Sequence, residues 1–364
     1  MGRLADLIQL VRAPAALSVP GDLVAGASAA GTLGPATAGL AAASVCLYWA
    51  GMAANDWSDR DLDAVERPER PIPSGRISPG AALGIAAGLT AAGVSVAAAV
   101  GGRRALTVAV PLAATIWTYD LRAKNTAAGP AMMAACRALD VLLGATSPGP
   151  RTLGRALWRA LPTAAAIGAH TYTVTELSRK EVSGARPALP ATTLAATGAL
   201  TAAIATAPPS RAAAAPSRAA VPGFRNAIAM GSARRFAPGT GSASGADAAT
   251  GSAPCAGTET ASARRRPIAV GPVSRAATGV GAIPRAAVVG ALAGQYLTSY
   301  GAAQARAIAS PTPGTVRAAV GAGITAFPAL QGALAARAGS PLAGLAVAAV
   351  APLARLLARR VSPT

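Results

Sequence analysis

Six of the fourteen acidic residues fall between Asp56 and Glu69, in the run GMAANDWSDRDLDAVERPERPIPSG. On a helix advancing about 100° per residue, Asp56, Asp59, Asp63 and Arg67 share one stripe, with Asn55 beside it and Asp61 on the opposite face. Three carboxylates on one surface at the end of an apolar run repel one another unless a cation neutralises them. An all-oxygen set of Asp and Asn suits Mg²⁺, which takes few protein carboxylates and completes its shell with water and phosphate oxygens. Phosphate therefore enters as the second ligand. Arg67 and Arg70 follow with planar forks matched to diphosphate oxygens, and Pro68, Pro71 and Pro73 hold that loop extended. The competing reading is a solvated helix end with local pairs such as Asp63/Arg67.

A second polar run, Thr175-Glu176-Leu-Ser-Arg179-Lys180-Glu181-Val-Ser-Gly184, closes another apolar segment. Glu176 and Glu181 are five apart, about 140° round a helix, so one ion reaches both only if the loop distorts. Arg179 and Lys180 carry charge that suits phosphate, or else form a basic loop of the kind found on cytoplasmic faces. The chain's only lysines, Lys124 and Lys180, lie in loops on the same expected side as the aspartates, and Arg122 stands beside Lys124. Arg137 and Asp140, three apart inside an apolar run, are expected to face one another or a polar cavity, and His170 to serve helix packing.

The elements that must position these groups are helices in a membrane. Of 364 residues, 52% are hydrophobic, 13% charged and 3% aromatic, with mean hydropathy +0.42, too apolar for an ordinary soluble domain. The net charge of +19 comes almost wholly from arginine, and the scarcity of interleaved aromatics argues against nucleic acid as a partner. Cys46, Cys136 and Cys255 show no metal or disulfide spacing. Apolar runs near 7–30, 36–55, 79–101, 106–119, 129–145, 157–176, 188–207, 286–305, 316–336 and 341–357 predict an all-α, polytopic bundle of nine or ten transmembrane helices. Eleven basic residues in the loops on the aspartate side, against five opposite, place that side in the cytoplasm. The spacing Gly84-Ile-Ala-Ala-Gly88 suits close helix packing. The bundle is expected to comprise residues 1–207 and 286–364, divided by a low-complexity, disordered insertion at 208–285 with ten arginines and only Asp247 and Glu259 as acids. A flexible loop, a basic arm and a stretch translated from a shifted reading frame all fit that composition.

The run Asn55-Asp56-x-x-Asp59-x-x-x-Asp63, with Arg67, Arg70-Pro71 and Gly75, resembles the first aspartate-rich motif of the UbiA-type membrane prenyltransferases. Tyr119-Asp120-Leu-Arg-Ala-Lys124 resembles that family's Tyr/Lys loop after the fourth helix, and Arg12 in LIQLVRAPAALSVPGD its first-helix arginine. The second run departs from the family's D-x-x-D-x-E-G-D form. Glu176 takes the place of the first acid, Arg179 replaces the second, Glu181 matches the glutamate and Ser183 replaces the last aspartate. This altered form is similar to a subgroup that includes EboC-like proteins. The resemblance covers roughly residues 5–207 and, more loosely, 286 to the end.

The resemblance implies a Mg²⁺-dependent transferase of the bacterial inner (plasma) membrane, its site facing the cytoplasm. It would move a prenyl group from a prenyl diphosphate to an aromatic or other electron-rich, lipid-like acceptor. Asp56, Asp59 and Asp63 would hold the metal, and Lys124 would share their catalytic role. Arg67, Arg70, Arg122, Lys124, Arg179 and Lys180 would hold diphosphate, with Asn55, Tyr119, Arg12, Glu176 and Glu181 also lining the substrate site. The altered second motif leaves an alternative: a UbiA-like membrane protein that binds or exports a lipid-linked metabolite.

Overall fold

The computed structural model describes residues 2–206 and 284–350. The insertion expected at 208–285 therefore lies outside the described residues apart from Pro284 and Arg285, as do Cys255 and the end of the last apolar run. Every regular element among the described residues is helical. In chain order they are α1 (Gly2–Leu10), a 3₁₀ turn (Ala13–Ser18), α2 (Val19–Ala30), α3 (Pro35–Ser58), α4 (Arg60–Glu66), α5 (Pro79–Thr118), a π turn (Tyr119–Ala123), α6 (Gly129–Ala145), α7 (Leu153–Ser178) and α8 (Ala188–Thr206). After the gap come α9 (Arg285–Tyr296), a second π turn (Leu297–Gly301), α10 (Ala302–Ala309) and α11 (Pro313–Arg337), then α12 (Pro341–Val350).

Local chemistry sets the boundaries. Pro35, Pro79 and Pro313 each open a helix, where a missing N–H costs nothing, and the Ser78 and Thr312 side chains accept hydrogen bonds from Ala81 and Thr315 in the first turns. Gly31, at φ 68°, ends α2 in the left-handed conformation. Gly102, at φ 59° and ψ −148°, occupies a region essentially reserved for glycine, so it divides α5 into two arms where the sequence separates the runs 79–101 and 106–119.

Four helical stretches are long and apolar enough to cross a membrane: Pro35–Ser58, Pro79–Ala123, Ala188–Thr206 and Pro313–Arg337. The remaining runs fall short for visible reasons. The helix α2 has 12 residues, and α6 has 17 with Arg137 and Asp140 among them. The more polar α7 carries Arg155 and Arg159 in its opening turns.

In the bundle α2 packs against α3, α6, α7 and α11, and α3 lies along α5. One apolar core gathers Leu23, Leu40, Leu47, Leu112 and Leu143; a second gathers Ile167, Leu292, Tyr296, Tyr300 and Leu330. Small residues let backbones touch. A Cβ added at Gly26 would sit 1.8 Å from the Val141 carbonyl oxygen, and one at Gly144 would sit 2.2 Å from that of Leu23. Gly84 and Gly88 meet nothing within 4 Å, so the close contact expected there is instead made between α2 and α6.

A polar network crosses this apolar interior. The Arg137 guanidinium pairs with Asp22 (Nε to Oδ2, 2.8 Å), and Gln331 donates from Nε2 to Asp22 Oδ1 (2.6 Å) and to the Ser18 carbonyl (2.8 Å). Asp140 accepts a hydrogen bond from Ser44. Arg137 thus finds its carboxylate on another helix rather than at Asp140, and its plane lies over the rings of Tyr48 and Phe327 (5.6 and 4.7 Å). His170 is buried, stacked on Phe327 (4.8 Å) and hydrogen-bonded to the Tyr296 hydroxyl (2.9 Å), as its packing role requires.

Because α2 and α6 meet backbone to backbone, Gly144→Leu should destabilise the bundle by about 3 kcal/mol through overpacking. Gly84→Leu should stay within about 0.5 kcal/mol of the parent. Denaturant unfolding in detergent measures both, and equal losses would contradict the contact.

Candidate active site

The aspartate stripe is assembled from two helices. The last turn of α3 supplies Asn55 and Asp56; Asp59 sits between the helices, with φ −91° and ψ 3°, and α4 supplies Asp63. The expected continuous helix is therefore broken at Asp59. The bonds from Asp59 N to Asn55 O, Asp63 N to Asp59 O and Arg67 N to Asp63 O nevertheless keep the four-residue spacing, so the stripe survives the break. Asp61 points away: its side chain is 87% exposed and pairs with Arg60.

Each carboxylate of the stripe meets a cation. Asp56 Oδ1 lies 2.6 Å from Arg12 Nη2 and 3.5 Å from Arg70 Nη1. Asp63 lies 2.5 Å from Arg70 Nη1 and 3.4 Å from Arg67 Nη1. Asp59 Oδ1 lies 2.6 Å from Lys124 Nζ. Asp56 and Asp63 are buried, with side chains 5% and 1% exposed, so these charges are stable only because they are paired.

Three local distortions deliver the cations. Arg12 has φ 44° and ψ 52°, a left-handed conformation that costs a non-glycine residue roughly 1–2 kcal/mol. It lies between α1 and the 3₁₀ turn, and from there the side chain reaches α3. In the turn after α4, backbone bonds from Ser74 to Arg70 and from Ile77 to Pro71 fold the proline-rich loop back, with Arg70 beneath it. Tyr119–Ala123 forms a π turn closed by Lys124 N to Tyr119 O (2.9 Å), and that extra residue sets Lys124 opposite Asp59.

The other expected residues divide. Tyr119 lines the site. Arg179 donates to the Thr126 carbonyl (2.5 Å), joining the end of α7 to the loop that carries Lys124. Arg122 and Lys180 are exposed, and among the described residues neither they nor Glu176 and Glu181 form an ion pair with the stripe. Among the described residues, Arg179 is the member of the second motif that bonds to the loop carrying Lys124.

Beside the stripe is a 280 Å³ cavity between α3, the π turn and α6, with Arg12, Tyr48, Asn55, Tyr119, Asp120 and Arg137 among its walls. Asp120 is buried and accepts a hydrogen bond from Asn55 Nδ2 (3.3 Å). Gly51 leaves it room, since a Cβ there would come within 2.9 Å of Asp120 Oδ2. In the sequence Asp120 stands only as a member of the Tyr119–Lys124 run, and Tyr48 lies in an apolar run. An acid directly after Tyr119 at the end of an apolar run is the sequence signal for the first; Tyr48 carries none.

Among the described residues no three His, Cys, Asp or Glu side chains already converge as a metal cage. The donors at hand are carboxylate and carboxamide oxygens, without imidazole or thiol, which is the chemistry of a hard divalent cation. They fit such an ion once their guanidinium and ammonium partners turn to an anionic ligand, and phosphate is the anion for which those partners are best shaped.

A model of the UbiA prenyltransferase family matches residues 17–207. Digeranylgeranylglyceryl phosphate synthase of Methanopyrus kandleri is 43% identical over 108 residues, covering 30% of this chain and 38% of that protein. The enzyme of the same name from Ignicoccus hospitalis is 38% identical over 100 residues, 28% of this chain and 33% of that one. The chain thus spans about a third of the length of the curated relatives it matches. A solved structure of digeranylgeranylglyceryl phosphate synthase in membranes shares the fold, with a TM-score of 0.50 and 13% identity over 93% of this chain and 99% of that one.

If the pairing stabilises the site, Arg70→Ala should cost about 3 kcal/mol, because it strips a partner from two buried carboxylates. The double variant Arg70→Ala/Asp63→Asn should recover most of the loss. Unfolding in detergent reads both; additive losses would mean that the two side chains are not coupled.

Proposed function

The chain belongs to the UbiA prenyltransferase family, and from that premise we propose that it transfers a prenyl group from a prenyl diphosphate to a lipid-like acceptor. The observation that carries this reading is the facing of Asp56, Asp59 and Asp63 by Arg12, Arg67, Arg70 and Lys124. Both halves of a metal–diphosphate site lie within one cluster.

Asp56, Asp59 and Asp63 would hold Mg²⁺, with Asn55 assisting. When bound, the ion supplies positive charge against which diphosphate can leave. Lys124, Arg70 and Arg67 then exchange their carboxylates for phosphate oxygens and stabilise the charge that gathers as the allylic C–O bond breaks and its electron pair stays with diphosphate. Arg12 turns toward the same oxygens, and Arg179 holds the Lys124 loop in place. The acceptor hydroxyl's electron pair forms the new C–O bond to the allylic carbon, and its proton passes to the Asp120 carboxylate. Asp120, on the wall of the adjoining cavity, accepts the hydrogen bond of an acceptor hydroxyl, and the faces of Tyr119 and Tyr48 shield the cationic carbon. Arg122, Lys180, Glu176 and Glu181 would serve at the margin, meeting diphosphate as it enters.

The names of the relatives favour a prenylated glyceryl phosphate as acceptor over an aromatic ring. A 600 Å³ apolar groove along α2 and α3, bounded by Val24, Leu33, Val45 and Trp49, suits an isoprenoid tail. We place the site at the cytoplasmic face of the plasma membrane, on the excess of basic residues in the adjoining loops. We propose nine or ten crossings, with the two arms of α5 crossing separately on either side of Gly102. Residues 1–207 and 286–364 then form one bundle. The altered second motif favours a second reading, in which the same cluster binds a lipid phosphate without turnover.

The test is transfer of labelled prenyl groups by the full-length chain in vesicles, with a prenylated glyceryl phosphate and an aromatic acid offered separately. Product is expected with the first acceptor, is lost on chelation and returns with Mg²⁺. Asp59→Asn and Asp63→Asn should each lower turnover about 100-fold or more. Lys124→Ala should raise KM for the diphosphate about tenfold and leave that for the acceptor unchanged. Saturable diphosphate binding without product would establish the second reading, and full turnover in both aspartate variants would remove the stripe from the mechanism.

A further inference from the structure

The end of the bundle opposite the aspartate stripe poses the reverse electrostatic problem: among the described residues it gathers arginines without acids. Arg159 lies in the second turn of α7, Arg285 opens α9 and Arg337 closes α11. Among the described residues none of the three forms an ion pair. Two hollows adjoin at Arg337. One, of 380 Å³, runs between the ends of α8, α9 and α11, with Ile204, Arg285, Val289 and Arg337 on its walls. The other, of 90 Å³, lies between Arg159, Thr163, Leu334 and Arg337.

The arginines are positioned rather than splayed into solvent. Arg285 donates from Nη2 to the backbone carbonyl of Arg337, so the end of α11 fixes one guanidinium beside the other. The Nε atoms of Arg159 and Arg337 are buried and without a hydrogen-bond partner among the described residues. A buried N–H on a cation is costly when left unmade, and like charges that share a hollow repel. The first turn of α9 adds the positive end of its dipole to the same place. One ligand class answers all these demands: an anion with several acceptor oxygens, joined to an apolar chain that can lie against Ile204 and Val289.

We propose that this hollow binds the phosphate headgroup of an anionic phospholipid, at the membrane face opposite the aspartate stripe. The phosphate sits between Arg285 and Arg337, within reach of Arg159, and an acyl chain follows the walls given by α8 and α9. The site shares no residue with the proposed transfer site and does not depend on it.

The test is native mass spectrometry of the full-length chain in detergent, titrated separately with phosphatidylglycerol, phosphatidylcholine and inorganic phosphate. One equivalent of phosphatidylglycerol should be retained at least about fivefold more tightly than phosphatidylcholine. Arg285→Gln should weaken that binding about fivefold and Arg285→Gln/Arg159→Gln about 25-fold, each arginine contributing what one basic residue does near anionic lipid. Arg285→Lys, which keeps the charge, should stay within about twofold, and it keeps the test decisive if the glutamine variants fail to fold. Arg306→Gln, on the exposed face of α10, should change nothing. Equal retention of the two lipids, or indifference to both arginine substitutions, overturns the proposal. Inorganic phosphate bound as tightly as phosphatidylglycerol would also overturn it, by showing a site for a free anion.

Discussion

Two buried carboxylates and a third half-buried one at the end of a membrane helix can coexist only if positive charge is brought to them, and the surrounding chain is shaped by that requirement. Arg12 leaves the favoured backbone region to reach Asp56. The proline-rich loop after α4 folds back so that Arg70 spans Asp56 and Asp63. A π turn inserts one extra residue so that Lys124 meets Asp59. These are three different departures from regular geometry, and each ends in a contact of 2.5–2.6 Å with one carboxylate of the stripe. A helix end without the acids would need none of them.

The interior meets the same constraint with fewer charges. Asp22 is fully buried, yet Arg137 and Gln331 reach it from α6 and α11 while Ser44 on α3 serves Asp140. In a bundle whose helices are rich in alanine and glycine, packing by shape alone distinguishes poorly between one register and the next, because many small faces fit one another. A buried pair that is satisfied in one register and orphaned in its neighbours removes that ambiguity. The network and the glycine contacts act together: Gly26 and Gly144 bring α2 and α6 close enough for Arg137 to reach Asp22.

How far the site was legible in the sequence depends on how far its parts lie apart along the chain. The Asp56/Asp59/Asp63 stripe follows from helical spacing alone and survives the break at Asp59, because the backbone bonds keep the four-residue step. The division of α5 is written in Gly101-Gly102. Lys124 and Arg12 needed the family's pattern to be noticed, since nothing local ties them to residues 65 and 44 positions away. Of the two expectations for Arg137, the polar cavity holds, since it lines the hollow with Asn55 and Asp120, whereas the carboxylate it meets is Asp22, brought near by tertiary packing, rather than Asp140 on its own helix. Gly84 and Gly88 show the same limit: spacing identifies a surface that can pack closely, and the neighbouring helices decide whether it does. The second acidic motif is the least legible part, because its substitutions leave only Arg179 with a visible link to the stripe.

The balance of charge at the stripe also bears on how such a site would work. Four cations, Arg12, Arg67, Arg70 and Lys124, face three carboxylates, which leaves a surplus of positive charge. A prenyl diphosphate accompanied by a single divalent cation carries a net negative charge, so the total would stay near neutral if Asp56, Asp59 and Asp63 held the metal and the arginines and Lys124 held the phosphates. No charge has to be created or expelled across the low-dielectric boundary; the partners are exchanged within it. In the proposed transfer the cations would be oriented beforehand by the carboxylates they exchange for phosphate, which is the condition under which electrostatic stabilisation of a departing anion requires least reorganisation. On the proposed reading these ion pairs would hold the cations ready for diphosphate, and the left-handed backbone of Arg12 is retained by one of them.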